Sequence, residues 1–266
     1  MIKVTIIGVG GKMGRSIFTI LNNDEDISIV GAAELPGHQL VGKDLGEVMG
    51  VANNGVEVFD NIYDAAGDSD IIVDFTAPES TISNAEYASN NNKSIVIGTT
   101  GFSTDQRSIL NKFLESVPSV ISPNMSIGVN LLFELSKNVS KILGKEFDVE
   151  IVEAHHRNKV DSPSGTALGL AESVAEGLDV NLNDNAVFER HGNIGKRKNN
   201  EIGIQTIRGG DVVGDHTVMF LGDGERIELT HKALSRDNFS KGVLRAVKWL
   251  PGKSPGIYAM KDVLGL

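Results

Sequence analysis

Apolar positions fall in short runs through the first half of the chain. Residues 3–9, 27–34, 56–59, 70–75, 94–98 and 119–122 are largely apolar or β-branched on consecutive positions, the pattern of strands covered on both faces. Between most of them, residues 12–23, 79–90 and 104–116 carry helical spacing, and Ser103 stands where the third helix needs an N-cap. Strand and helix in alternation build right-handed crossover units, so the expected fold is α/β with a doubly wound parallel sheet.

The rhythm changes after about residue 126. Residues 128–143 read as a helix, 147–154 as a strand and 166–177 as a helix; 201–208, 216–221 and 226–231 read as strands parted by Arg-Gly-Gly-Asp and Gly-Asp-Gly turns. Several strands in succession predict a second, α+β domain with a mixed or antiparallel sheet. Residues 238–250 return to a helical pattern, assignable to either domain, and 251–256 read as a turn.

Composition narrows the chemistry. A chain of 266 residues can bury a sizeable core without staples. Cysteine is absent, which excludes a disulfide framework, a thiolate metal site and a Cys nucleophile. The formal net charge of -10 argues against nucleic acid as a partner, so any anionic ligand needs a local basic cluster. No apolar run reaches the roughly 18 residues of a membrane helix. The opening MIKVTIIGVGG lacks the core and cleavage site of a secretory leader, so a cytoplasmic protein without a membrane partner is expected.

The segment KVTIIGVGGKMGRSI places Gly8, Gly10, Gly11 and Gly14 between the first strand and the first helix. Glycines there permit a tight turn and close approach of backbone to a phosphate, and the helix start offers free N–H groups and partial positive charge. The spacing is GxGGxxG rather than a clean GxGxxG, and a Gly-rich turn without ligand also fits it. The next strand ends at Glu34, where a carboxylate typically takes hydrogen bonds from ribose hydroxyls, and the combination favours nucleotide binding. Gly98, Thr99 and Thr100 follow one later strand; Ser122, Pro123, Asn124 and Met125 follow another. Both loops stand at strand carboxyl ends, where such sheets bind ligands.

The second signal is EIVEAHHRNKVDSPSGTALGLAE. His155, His156, Arg157 and Lys159 put four potential cations within five residues. Such a run is commonly a solvated loop. Here it leads into Ser162-Pro163-Ser164-Gly165-Thr166, which reads as a helix start with Ser164 as N-cap and free donors at Gly165 and Thr166. Together they could grip a small dicarboxylate, with His155 or Lys159 moving a proton. Arg208, His216, His231, Lys232 and Arg236, taken singly, read as surface or structural positions. The adjacent histidines have no third ligand at a set spacing, so no metal is expected.

The segments GVGGKMGR, DFTAPE, VIGTTGF, SPNMSIGVN and EAHHRNKVDSPSGTA, with GDHTVMF and ELTHKA further on, resemble the 4-hydroxy-tetrahydrodipicolinate reductase (dihydrodipicolinate reductase) family across essentially the whole chain. The resemblance implies NAD(P)H-dependent reduction of a cyclic dicarboxylate in lysine and diaminopimelate biosynthesis, with loss of a hydroxyl as water. It implies cofactor contacts at Gly8, Val9, Gly10, Gly11, Lys12, Met13, Glu34, Gly98, Thr99, Thr100, Ser122, Pro123, Asn124 and Met125. By the same resemblance His155 is a proton donor or acceptor, Lys159 a proton donor, and His156, Gly165 and Thr166 hold substrate. The implied organisation is a dinucleotide-binding domain over 1–126, completed by 238–266, and a substrate-binding and oligomerisation domain over 127–237 in a homotetramer.

Family members that grip the NADPH 2′-phosphate often carry Arg after the ribose acid; here that position is Leu35, and Glu34 repels a phosphate, so NADH is favoured over NADPH although Lys12 could partly compensate. A semialdehyde dehydrogenase would need the missing Cys. A sugar or 2-hydroxy-acid dehydrogenase would leave the PSGTA helix start without a purpose, and a nucleotide sensor would not need His155, His156 and Lys159 together.

Overall fold

The computed structural model describes residues 1–235 and 237–266; Arg236, one of the basic residues noted above, lies outside them. The chain divides into two compact units, Met1–Ile127 with Asp237–Leu266, and Gly128–Arg236.

The first unit holds strands β1 (Ile2–Ile7), β2 (Ile27–Ala33), β3 (Val58–Phe59), β4 (Ile71–Asp74), β5 (Ser94–Ile97), β6 (Pro118–Ile121) and, from the end of the chain, β12 (Gly256–Tyr258). Their order is β12-β6-β5-β4-β1-β2-β3, and every pair is parallel. This is the doubly wound order with one edge strand added, and it reverses direction between β1 and β4, where such sheets open a ligand crevice. All four residues of β4 are buried, as are the last three of β5 and of β6, because helices cover both faces. Burying a side chain such as Ile72 or Ile95 contributes about 1.5–3 kcal/mol.

Helices α1 (Lys12–Asn22), α4 (Pro78–Asn90) and α5 (Thr104–Leu114) fill the crossovers. Ser103 caps α5 as its sequence suggests: its side chain accepts from Gln106 N while Gln106 accepts from Ser103 N at 2.9 Å. Two short helices, α2 (Leu45–Met49) and α3 (Ile62–Ala65), begin at Asp44 and Asn61, whose side chains accept backbone N–H groups three residues on. The helix expected over 238–250 is α9 (Asp237–Trp249); its Val243, Ala246 and Val247 join Val4, Ile17 and Leu21 of the same core, as do Met260 and Val263 of α10 (Met260–Leu264).

The second unit contains α6 (Ile127–Leu143, whose first residue belongs to the first unit), β7 (Asp148–His155), α7 (Gly165–Leu178), α8 (Leu182–Asn185), β8 (Ala186–Val187), β9 (Ile202–Arg208), β10 (Gly214–Gly222) and β11 (Glu225–Ala233). The strand order is β11-β10-β7-β9-β8, with antiparallel pairs at β11-β10-β7 and parallel pairs at β7-β9-β8, a mixed sheet. β7 alternates strictly: Val149, Ile151, Glu153 and His155 are buried and the residues between are only half so. Val149 and Ile151 pack with Leu170, Ala171 and Val174 of α7. The same alternation therefore carries Glu153 and His155 to the core face. No described helix is long and apolar enough to cross a membrane.

Candidate active site

In the first unit the glycine turn closes the end of β1. Gly8 sits at φ +79°, a left-handed conformation that favours glycine, and its N–H donates to Ala33 O at 2.8 Å. Gly14 lies in α1 directly against the turn: a Cβ there would stand 2.2 Å from Gly8 O. Gly10 N donates to Glu34 Oε2 at 2.7 Å, and Leu35 N donates to Glu34 Oε1 at 3.0 Å, so the carboxylate expected at the ribose is anchored by backbone on both oxygens.

Gly8, Gly11 and Glu34 line a cavity of about 340 Å³ together with Leu35, Phe75 and Thr76. The residues fit a dinucleotide: Gly11 is the N-cap of α1, its position would give a Cβ nothing closer than Gly8 O at 3.4 Å, and the wall mixes apolar side chains such as Ile7, Ile62 and Phe75 with two acids, Glu34 and Asp60. Of the other turn residues, Val9 is buried in the core and Met13 packs partly against it, while the Lys12 side chain is exposed. The loops at 98–100 and 122–125 do not line this cavity. Gly98 stands against the Phe75 ring, Thr100 and Pro123 are exposed, Ser122 Oγ donates to Asn124 O at 2.7 Å, and Met125 is buried in the core.

Thr99 belongs to a buried network that the sequence did not announce. Asp74, at the end of β4 and fully buried, accepts from Thr76 N at 3.0 Å, Thr76 Oγ1 at 2.6 Å and Asn84 Nδ2 at 2.8 Å. Thr99 Oγ1 accepts from Thr76 N at 3.0 Å and from Thr81 Oγ1 at 2.8 Å. Burial raises the Asp74 carboxyl above its ordinary range, and the hydrogen bonds from Thr76, Asn84 and Thr81 oppose that rise.

In the second unit the HHRNK run leaves the end of β7. His156 N donates to Val212 O at 2.8 Å and Gly209 N to His155 O at 3.0 Å, which ties the run to the loop between β9 and β10. The His155 ring is buried, with Nδ1 2.6 Å from Glu153 Oε2. Burial lowers its pKa, and the Glu153 contact resists that fall. The carboxylate can only accept, so the ring nitrogen facing it, Nδ1, is the one suited to carry an N–H. Lys159 Nζ pairs with Asp161 at 2.9 Å, Arg157 is exposed, and His156 is half-buried with Nδ1 lacking a partner among the described residues.

The helix start expected at 164–166 is α7. Ser164 Oγ accepts from Ala167 N at 3.1 Å, leaving the Gly165 end open; a Cβ at Gly165 would meet nothing within 4 Å. Thr166, the second residue of α7, is half-buried. Two residues read from sequence as incidental belong to this cluster. Arg208 grips Glu153 with both terminal nitrogens, at 2.7 and 2.8 Å, and His216 Nε2 lies 3.0 Å from Ser164 Oγ.

Comparison with known proteins identifies the family. The family model described as dihydrodipicolinate reductase, N-terminus, matches residues 2–125, and that described as dihydrodipicolinate reductase, C-terminus, matches residues 128–264. Curated relatives named 4-hydroxy-tetrahydrodipicolinate reductase include those of Geotalea daltonii, 47% identical, and Geotalea uraniireducens, 48% identical, each over 266 residues and the full length of both chains. Among solved structures, a dipicolinate-bound dihydrodipicolinate reductase from Paenisporosarcina sp. TG-14 has a TM-score of 0.76 and 28% identity, covering 98% of this chain and 99% of the other. A myo-inositol dehydrogenase from Lactobacillus casei shares the fold alone, at TM-score 0.60 and 12% identity, covering 99% and 90%. On two family models that between them span nearly every residue, the chain belongs to the dihydrodipicolinate reductase family.

Proposed function

We propose that this chain is an NAD(P)H-dependent 4-hydroxy-tetrahydrodipicolinate reductase of lysine and diaminopimelate biosynthesis. The reaction consumes one hydride and one proton, expels the substrate hydroxyl as water, and yields tetrahydrodipicolinate and oxidised nicotinamide. The observation that carries the reading is the juxtaposition of a buried His155 with an open helix start: the single carboxylate of Glu153 lies 2.6 Å from the His155 ring and 3.0 Å from Ser164 N. A basic run and a helix N-terminus so joined suit a substrate with two carboxylates.

A reduced dinucleotide, bound with its pyrophosphate at the glycine turn, would supply the hydride from its nicotinamide. Gly8, Gly10 and Gly11 offer a pyrophosphate a bare turn at the start of α1, and Glu34 meets the ribose. His156, Gly165 and Thr166 hold the substrate carboxylates. The Lys159 ammonium donates the proton, and His155 Nε2 accepts or relays one. NADH is the preferred donor, since Leu35 offers no charge to a 2′-phosphate. The working partner is a small dicarboxylate, and the assembly a homotetramer in the cytoplasm.

The test is oxidation of NADH and of NADPH by the purified protein, with and without 4-hydroxy-tetrahydrodipicolinate. Turnover that needs the substrate and is blocked competitively by pyridine-2,6-dicarboxylate supports the reading. Absence of turnover with both cofactors overturns it.

A further inference from the structure

The buried acid Glu153 is held by four residues, His155, Ser164, Thr206 and Arg208. Strand pairing places it beside Thr206 of β9 on one side and His216 of β10 on the other. Its Oε1 accepts from Ser164 N at 3.0 Å, Thr206 Oγ1 at 3.2 Å and Arg208 Nη2 at 2.8 Å; its Oε2 accepts from Arg208 Nη1 at 2.7 Å and lies 2.6 Å from His155 Nδ1. One fully buried carboxylate thus spans the ring at the end of β7 and the residue that opens α7.

We propose that Glu153 is a positioning residue that fixes His155 as the Nδ1–H tautomer, turns its Nε2 toward the substrate, and sets the distance between that ring and the α7 start. The inference rests on the function proposed above for His155. A carboxylate in this place accepts only, so the proton shared with His155 sits on Nδ1 and Nε2 keeps a free lone pair. Arg208 keeps the acid ionised: its guanidinium, the His155 ring and the Ser164 amide outweigh the cost of burial and hold the Glu153 pKa at about 2. The arrangement is self-consistent only with all three partners present, which explains why a charge is kept at the core face of a strand whose neighbours there are Val149 and Ile151.

The charged and titratable groups facing His155 are Glu153 on its own strand, Arg208 from β9, His216 from β10 with ring centroids 5.1 Å apart, and Lys159 from the following loop. Two changes among them push in opposite directions. Removing the carboxylate charge by Glu153→Gln takes away a partner that raises the His155 pKa; removing Arg208 by Arg208→Gln takes away a charge that lowers it.

The experiment has two readouts. Nitrogen-15 spectra of the histidine rings in the wild-type protein near pH 8 report the tautomer directly and need no variant and no turnover. The expected result is a neutral His155 protonated at Nδ1; a ring protonated at Nε2 overturns the proposal whatever the activity. The pH dependence of kcat/KM is then compared in Glu153→Gln and Arg208→Gln. The His155 limb should move to lower pH in the first and higher pH in the second, with kcat of Glu153→Gln falling roughly tenfold to a hundredfold and the NADH dissociation constant within about twofold of wild type. Unmoved limbs in whichever variants fold, or NADH affinity lost in step with kcat, overturn it. Should the protein lack reductase activity, the proposed function fails while the tautomer measurement still decides the role of Glu153.

Discussion

His216 Nε2 lies 3.0 Å from the Ser164 hydroxyl, and His216 Nδ1 is buried with no partner among the described residues. A bare lone pair is cheaper to bury unpaired than an N–H, so the neutral ring carries its proton on Nε2 and donates it to Ser164. A second proton would have to sit, unpaired, on Nδ1. Burial first, and then the neighbouring His155, accordingly push the His216 pKa from 6.5 to about 4.

This makes stability depend on acidity in a defined window. The unfolded chain binds a proton at His216 below pH 6.5 and the folded chain only below about 4. Its contribution is complete above 6.5 and is lost as pH falls toward 4, up to about 3 kcal/mol. Glu153 adds a second loss, from 4.5 down to about 2. In thermal melts from pH 7 to 4, His216→Gln should show a shallower fall in Tm than wild type. Parallel curves would remove His216 as the titrating group.

Lys159→Ala deletes an ammonium held 2.9 Å from Asp161 in the loop after β7. Proton donation and a charge-assisted contact are each worth about 2–4 kcal/mol. Steady-state kinetics should show a rate loss on the order of a hundredfold or more, with NADH binding little changed by fluorescence titration. Near wild-type turnover would strip Lys159 of its role.

Leu35 is 65% exposed and lines the cavity next to Glu34. Leu35→Arg supplies a guanidinium able to pair with a 2′-phosphate, so kcat/KM for NADPH should rise relative to NADH, on the order of tenfold. An unchanged ratio would mean that residue 35 does not meet the 2′ position.

Gly11→Ala and Gly14→Ala separate cofactor contact from packing. At Gly14 a Cβ would strike backbone at 2.2 and 2.8 Å, and the turn must shift, at about 1–3 kcal/mol. At Gly11 the nearest atom is 3.4 Å away and φ is -70°, which alanine adopts freely. Gly14→Ala should lower both Tm and cofactor affinity, whereas Gly11→Ala should keep Tm and lose affinity alone. Retained NADH binding in Gly11→Ala would place the pyrophosphate elsewhere.

Much of this was legible in sequence. β4, β5 and β6 announce themselves because strands buried on both faces must be apolar throughout, and the caps at Ser103 and Ser164 because the donors they satisfy lie three residues on. What escaped depends on distant partners. β12 is three residues long and exists by pairing with β6. Glu153 reads in EIVEAHH as one more acid on a strand; that it is buried and bridged follows from Arg208, 55 residues on, and from the register that sets Thr206 beside it. Asp74 was visible within DFTAPE, but nothing local says that Asn84 and Thr99 close over it.

The first unit is assembled from both ends of the chain. Val243, Ala246, Val247, Met260 and Val263 fill the core begun by Val4, Ile17 and Leu21, and β12 closes the edge beside β6. On the ribosome, residues 1–127 therefore emerge with one side of that core uncovered, while 128–236 emerge complete, with their own sheet and helix. The later-made unit can reach its native state before the earlier one. The nucleotide crevice then matures last in synthesis, and a chain truncated after residue 236 should hold a folded substrate unit and a dinucleotide fold still exposed to chaperones and proteases.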